Sequence, residues 1–183
     1  MSRRNSFILG VTSFLLPLLL LAISILLSPW FRWEANALSD LGHATGSRAA
    51  WIYNLGLVTG GIFLIIYSLN YSSRNFPITS KVMVLTGYSL VLVGTFDEVY
   101  RGLHYIVSVL FFLLLAIAAL SYSYESKKNY PIAIVIVSVV AWILQLTAIC
   151  PCGEAVPEII SVLLTLVWYF DLVLKVYRTG KWS

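Results

Sequence analysis

Charge is what this sequence lacks. Aspartate, glutamate, lysine and arginine together make up 11% of its 183 residues, against 60% for the hydrophobic types, and mean hydropathy is +0.89. Soluble domains carry about 25% charged residues, so that class is excluded. No polar stretch of domain length is present either, and residues 1–183 are expected to form a single transmembrane domain. Histidine and cysteine each occur only twice. One C-x-C lacks the second ligand pair of a structural zinc site, and two histidines are thin material for a haem protein. There is no G-x-S-x-G and no H-E-x-x-H, so the sequence carries no complete catalytic signature of those kinds. The alternation of polar and apolar residues that a membrane β-barrel needs is missing as well.

What is present is a series of long apolar runs. A helix rises about 1.5 Å per residue, so about 20 apolar residues cross a hydrocarbon core about 30 Å thick. Backbone amides in lipid must be satisfied within their own segment, which makes helices the expected solution. Six spans are predicted, over residues 7–28, 51–71, 80–97, 103–124, 130–149 and 156–177. The fold class is therefore all-α, a polytopic bundle of six transmembrane helices. The first run follows Arg3 and Arg4 but exceeds a secretory signal core, and no A-x-A-like site follows it. It is expected to be a retained helix, kinked at Pro17.

The net charge of +4 is unevenly placed. Arg3, Arg4, Arg74, Lys81, Lys127, Lys128, Lys175, Arg178 and Lys181 fall on one side of the six-span arrangement, and Arg32, Arg48 and Arg101 on the other. Positive residues collect in cytoplasmic loops, so a multi-pass protein of the cell membrane with both termini cytoplasmic is expected. The basic residues then report topology and contact with lipid headgroups rather than with nucleic acid. Trp30, Trp33, Trp51 and Trp182 sit at span ends, where indoles favour the interface.

The same orientation puts residues 29–50, 97–102 and 150–155 outside the cytoplasm. These loops, with the helix starts that follow them, hold both histidines, both cysteines and all the acids except Glu125 and Asp171. Asp171 stands four residues before Lys175, an ordinary helical ion-pair spacing. Asp97, Arg101, His104 and Ser108 are spaced by four, three and four residues, which puts them on one helix face. Glu154, Glu158, Ser161 and Thr165 repeat that spacing. If the fourth and sixth helices are neighbours, the two stripes line one outward-facing cavity. A structural reading stands beside this: Asp97 and Arg101 neutralising one another, Glu154 and Glu158 staying solvated, and His104 bonded to a facing helix.

The stretch "ALSDLGHATGSRAAW" adds Asp40 and His43 on one turn, or else Ser39 capping a short interfacial helix that ends at Gly42 or Gly46. Asn54 either reaches the same cavity or bonds a neighbouring backbone. Gly56 and Gly60 form a G-x-x-x-G suited to close helix packing. For Cys150 and Cys152, around Pro151, a plain turn is expected in preference to a disulfide.

Several of these segments resemble a known family. "ALSDLG" before "WIYNLGLVTGGIF" resembles the N-P-I-S-D-L-G segment of the prokaryotic membrane proteins grouped as domain of unknown function 998. "VGTFDE", with His104 and Ser108 downstream, resembles that family's G-x-F-P-E followed by H-x-x-x-S. "GEAVPEIISVLLTLVWY" resembles its last helix. Asp97 stands where the family has proline, Ala37 and Leu38 replace proline and isoleucine, and His43 and the cysteines are outside the pattern. The resemblance implies six helices and assigns Ser39, Asp40 and Gly42 to a recurring element. It implies no reaction. The S-D-x-G element is also similar, more distantly, to the Frag1/DRAM/Sfk1-type membrane proteins, some of which act on lipid remodelling or distribution.

Three functions follow. The first is a protein that binds or moves a membrane lipid or small amphiphile, with Ser39, Asn54, Arg101, Ser108 and Glu158 touching it. The second is an intramembrane hydrolase or transferase acting on lipid headgroups. There His104, Asp97 and Asp40 would be catalytic, Ser108 a candidate nucleophile, and His104, Asp40, Asp97, His43 and Glu158 candidate ligands of a divalent metal such as zinc. The third is a haem or redox protein using His43 and His104, or the cysteine pair.

Overall fold

The structure, a computed structural model, describes residues 2–179; Lys181 and Trp182, used in the charge and interface readings, lie outside the described residues. Six long helices run α1 (Arg3–Leu26), α2 (Ala50–Tyr67), α3 (Pro77–Thr95), α4 (Gly102–Ser126), α5 (Tyr130–Leu146) and α6 (Ala155–Thr179). A π-helical turn, Ser68–Ser72, extends α2, and among the described residues there is no strand. Among the described residues, five of these six helices, all but α5, are long and apolar enough to cross a membrane. The fifth, α5, has 17 residues, about 26 Å of helix at about 1.5 Å per residue. Large apolar side chains such as Leu26, Tyr105, Ile106 and Leu146 stand exposed on the bundle, as a lipid solvent allows.

Successive helices α1 to α4 pack side by side, and α6 returns against α1. The α1–α2 contact is close because glycine permits it. A Cβ on Gly60 would lie 2.7 Å from Pro17 Cγ, and one on Gly56 would lie 3.0 Å from Leu20 Cβ. The G-x-x-x-G is therefore spent inside the bundle, receiving the proline of α1.

The end holding the start of α1 and the finish of α6 is solid. Trp168, Tyr67, Tyr122, Met83 and Leu172 are buried there in one cluster. Asp171 is its polar tie: Tyr122 and Tyr130 donate their hydroxyls to Oδ2, and Lys128 Nζ lies 2.8 Å away. The expected partner Lys175 is at 3.9 Å. Glu125, on α4, accepts from the Ile78 and Thr79 amides at 2.8 and 2.9 Å, satisfying donors that the start of α3 leaves open.

The opposite end is built from loops. Gly153 N donates to Trp33 O and Ala155 N to Asn36 O, each at 3.0 Å, sewing the first long loop to the start of α6. Cys150 and Cys152 are joined by a disulfide, with Cα atoms 5.3 Å apart. This corrects the plain turn expected from the sequence: the turn around Pro151 brings the two Cα atoms within ordinary bridging range. Only a small apolar cluster of Leu21, Leu38, Leu41, Tyr53 and Ala155 fills this end. α5 packs only loosely on its neighbours α4 and α6, and of its residues Pro131 alone is buried.

Candidate functional site

The looseness of α5 leaves a cavity of about 590 Å³ between α4, α5 and α6. Polar groups gather toward the loop end, where Ser39, Glu98, Arg101, His104, Glu154 and Glu158 line it. Further along, the wall is mostly apolar, with Phe112, Leu113, Val135, Val139 and Trp142. A second space of about 110 Å³ lies nearer the bundle centre and shares Ser39, Ser108 and Glu158 as common wall.

The first wall is set by a short 3-10 helix, Leu38–Gly42. Asp40 is turned back on its own segment, accepting from Ala37 N at 3.0 Å and Asn36 Nδ2 at 2.9 Å. It holds the turn and does not line the cavity. Gly42 ends the helix, and its carbonyl accepts from Asn54 Nδ2 at 2.8 Å. A Cβ on Gly42 would meet the Tyr53 ring at 2.7 Å, so only glycine allows this approach to α2. Asn54 thus bonds a neighbouring backbone and stays off the cavity. His43 is occupied locally, with Nδ1 3.1 Å from Gly46 N.

Ser39 points elsewhere, its hydroxyl donating to Glu98 Oε1 at 2.6 Å. Glu98 opens a single 3-10 turn, Glu98–Tyr100, whose cap is Asp97: Oδ1 of Asp97 accepts from Val99 N at 2.9 Å. Asp97 is therefore buried as a cap. Among the described residues no ion pair joins it to Arg101. Arg101 stands at the cavity rim with φ 42°, a conformation that side-chain-bearing residues rarely adopt.

His104, in the first turn of α4, is 5% exposed. Its Nδ1 is 2.6 Å from the carbonyl oxygen of Phe96. A carbonyl only accepts, so Nδ1 carries a proton and ties α4 to the end of α3. Nε2 faces Ser108 Oγ at 3.2 Å and Glu98 Oε1 at 3.3 Å. In the neutral ring Nε2 accepts, and the Ser108 hydroxyl is its donor; in the charged ring Nε2–H would face the Glu98 carboxylate.

The other wall is α6. Glu158 is 8% exposed, and its Oε2 accepts from Leu38 N at 2.6 Å, holding the start of the 3-10 helix. Ser161 and Thr165 continue the stripe, their hydroxyls donating back to Pro157 O at 2.8 Å and Ser161 O at 2.9 Å.

Of the sequence-derived candidates, Ser39, Arg101, His104, Ser108 and Glu158 share one cavity. Asp40, Asp97 and Asn54 hold its framework, and His43 stands apart. Among the described residues no three of His, Cys, Asp and Glu are placed to hold a metal ion. The residue overlooked is Glu98, which meets both Ser39 and His104. Its signal lay in "VGTFDE": the glutamate of the G-x-F-P-E resemblance falls on Glu98, while the helix-face spacing selected its neighbour Asp97.

Residues 11–175 match the family described as Protein of unknown function (DUF998), and the chain belongs to that family. No curated protein and no solved structure is matched by the chain.

Proposed function

We propose that this member of the DUF998 family binds a membrane lipid or similar amphiphile in the cavity between α4, α5 and α6. The observation that carries the reading is the graded wall, polar at the loop end and apolar along α4 and α5. A space of about 590 Å³ is of the size that small-molecule sites take. The loose packing of α5 supports lateral admission of a chain from the bilayer. The basic residues at the other end support a polar end that opens outside the cytoplasm. Ser138, on α5, lines the apolar part, so Ser138→Trp should fill it. Lipid extracted from purified wild type and from this variant should differ, with a tightly held species depleted in the variant. Equal lipid content and identity in both would remove the reading.

One observation favours a second, catalytic reading: Ser108 Oγ lies 3.2 Å from His104 Nε2. In that reading Ser108 Oγ attacks a lipid ester carbonyl while His104 Nε2 takes its proton and the Phe96 carbonyl holds the ring. The bond formed is Oγ to acyl carbon. The bond broken is acyl carbon to alkoxide, which leaves with the proton from His104. Water then releases the acyl group by the reverse roles. Ser108→Ala and His104→Ala should each retain bound lipid and lose turnover. A protein in which Ser108 resists a serine-directed fluorophosphonate, and which shows no turnover to lose, is a binder only.

A further inference from the structure

The polar end of the cavity is unbalanced in a way that specifies what fills it. Three carboxylates line it, Glu98, Glu154 and Glu158, against one guanidinium, Arg101. Glu158 is 8% exposed, yet only its Oε2 is bonded, to Leu38 N. Among the described residues Oε1 accepts no hydrogen bond. Glu158 lines the cavity, so Oε1 is open to a donor that an occupant brings. Among the described residues no neighbouring hydroxyl donates to it. The protons of Ser161 and Thr165 go to backbone carbonyls, and that of Ser39 goes to Glu98. Glu98 has Ser39 and His104 for company, and Glu154 stands at the exposed rim. Arg101, also at the rim, forms no hydrogen bond or ion pair with its side chain among the described residues.

We infer that the amphiphile accepted here carries an ammonium head with N–H donors, seated between Glu158 and Glu98, with Arg101 free at the rim to meet an adjoining phosphate. This rests on the amphiphile-binding reading above. Ammonium chemistry has two sources in a membrane: an aminophospholipid, or a long-chain amine without phosphate. An anionic head would meet three carboxylates for one cation, and a quaternary ammonium would bring charge without the missing donor.

The test uses the full chain in phosphatidylcholine nanodiscs. Trp142 lines the cavity and packs edge-on against Phe112 with ring centroids 5.3 Å apart, so quenching lost in Trp142→Phe reports occupancy. Lipids with brominated chains and ethanolamine, choline, glycerol or sugar heads are added, with a brominated long-chain primary amine. Ethanolamine heads should quench at about tenfold lower mole fraction than glycerol or choline heads, the advantage expected of one hydrogen bond to a charged group. Glu158→Gln should erase most of that advantage. A primary amine as effective as the ethanolamine lipid assigns recognition to the ammonium alone; a weaker one assigns part of it to phosphate on Arg101, which Arg101→Gln should then remove. Equal or better quenching by glycerol or sugar heads on the wild-type protein would overturn the inference while leaving amphiphile binding intact. If no head group gives Trp142-dependent quenching beyond that of bulk lipid, the binding reading falls with it.

Discussion

Ser39 donates its hydroxyl to Glu98 Oε1 across 2.6 Å, although 59 residues separate them in the chain. The contact joins the 3-10 helix of the first loop to the turn between α3 and α4. Leu38, next to Ser39, is held by Glu158 from α6. Two adjacent residues of one short turn are thus gripped by acids from two different elements, and the polar end of the cavity is framed by that grip.

Ser39→Ala and Glu98→Gln should therefore be coupled. Ser39→Ala removes the charge-assisted hydrogen bond, worth about 1.5–3 kcal/mol, and Glu98→Gln keeps an acceptor but takes away its charge. In a double-mutant cycle by thermal unfolding in detergent, the pair should cost about 1 kcal/mol less than the sum. Strict additivity would mean that the contact does not form in the folded protein.

Gly60→Val should loosen the α1–α2 pair. Its Cβ would lie 2.7 Å from Pro17 Cγ, a ring atom with little freedom to withdraw. Overpacking of this kind costs about 1–3 kcal/mol, read as a lower midpoint in a thermal melt. Gly102→Ala, where nothing lies within 4 Å of the added carbon, should leave the midpoint nearly unchanged.

Part of this architecture is legible in the sequence. Continuous apolar runs specify helices almost by themselves, because lipid leaves the backbone no other partner. The helix-face spacing of Arg101, His104 and Ser108, and of Glu158, Ser161 and Thr165, correctly grouped residues that share a wall. Spacing fails where the chain is not an α-helix. Asp97 and Glu98 lie across a break between α3 and α4, so extending the helical register selected the cap and passed over its neighbour. Asp40 and Asn54 face backbone groups from the loop itself, and such contacts depend on a loop path that no periodicity records. The standing-off of α5, which opens the cavity, leaves no mark in a sequence that is apolar on all sides.

Arg101→Gly separates stability from recognition. A non-glycine residue at φ 42° stores strain of about 1–3 kcal/mol. Glycine at 101 should raise the thermal midpoint or leave it unchanged, while binding of any phosphate-bearing amphiphile weakens. A variant that is both less stable and unchanged in lipid content would assign Arg101 a structural role.

Topology is open to a direct measurement. The orientation proposed from the charge distribution has residues 150–152 outside and the α4–α5 turn, with Lys127 and Lys128, inside. After mild reduction of intact cells, a membrane-impermeant maleimide should label the native Cys150–Cys152 pair. In a Cys150→Ser, Cys152→Ser background, Lys127→Cys should be labelled only after the membrane is opened. The reverse pattern would invert the orientation and place the cavity mouth in the cytoplasm.

The two ends of the bundle should answer differently to loss of a carboxylate. Asp171 gathers Tyr122, Tyr130 and Lys128 over the solid core, so Asp171→Asn leaves a cation unpaired there and weakens two hydroxyl bonds. It should destabilise the fold by about 2 kcal/mol with no change in the lipid that copurifies. Glu158→Gln keeps a hydrogen-bond acceptor for Leu38 N and alters the cavity wall instead. Its melting midpoint should move less than that of Asp171→Asn, and its copurifying lipid should change in amount or head group. A Glu158→Gln protein with wild-type lipid and a collapsed midpoint would make this carboxylate a cap for the 3-10 helix and nothing more.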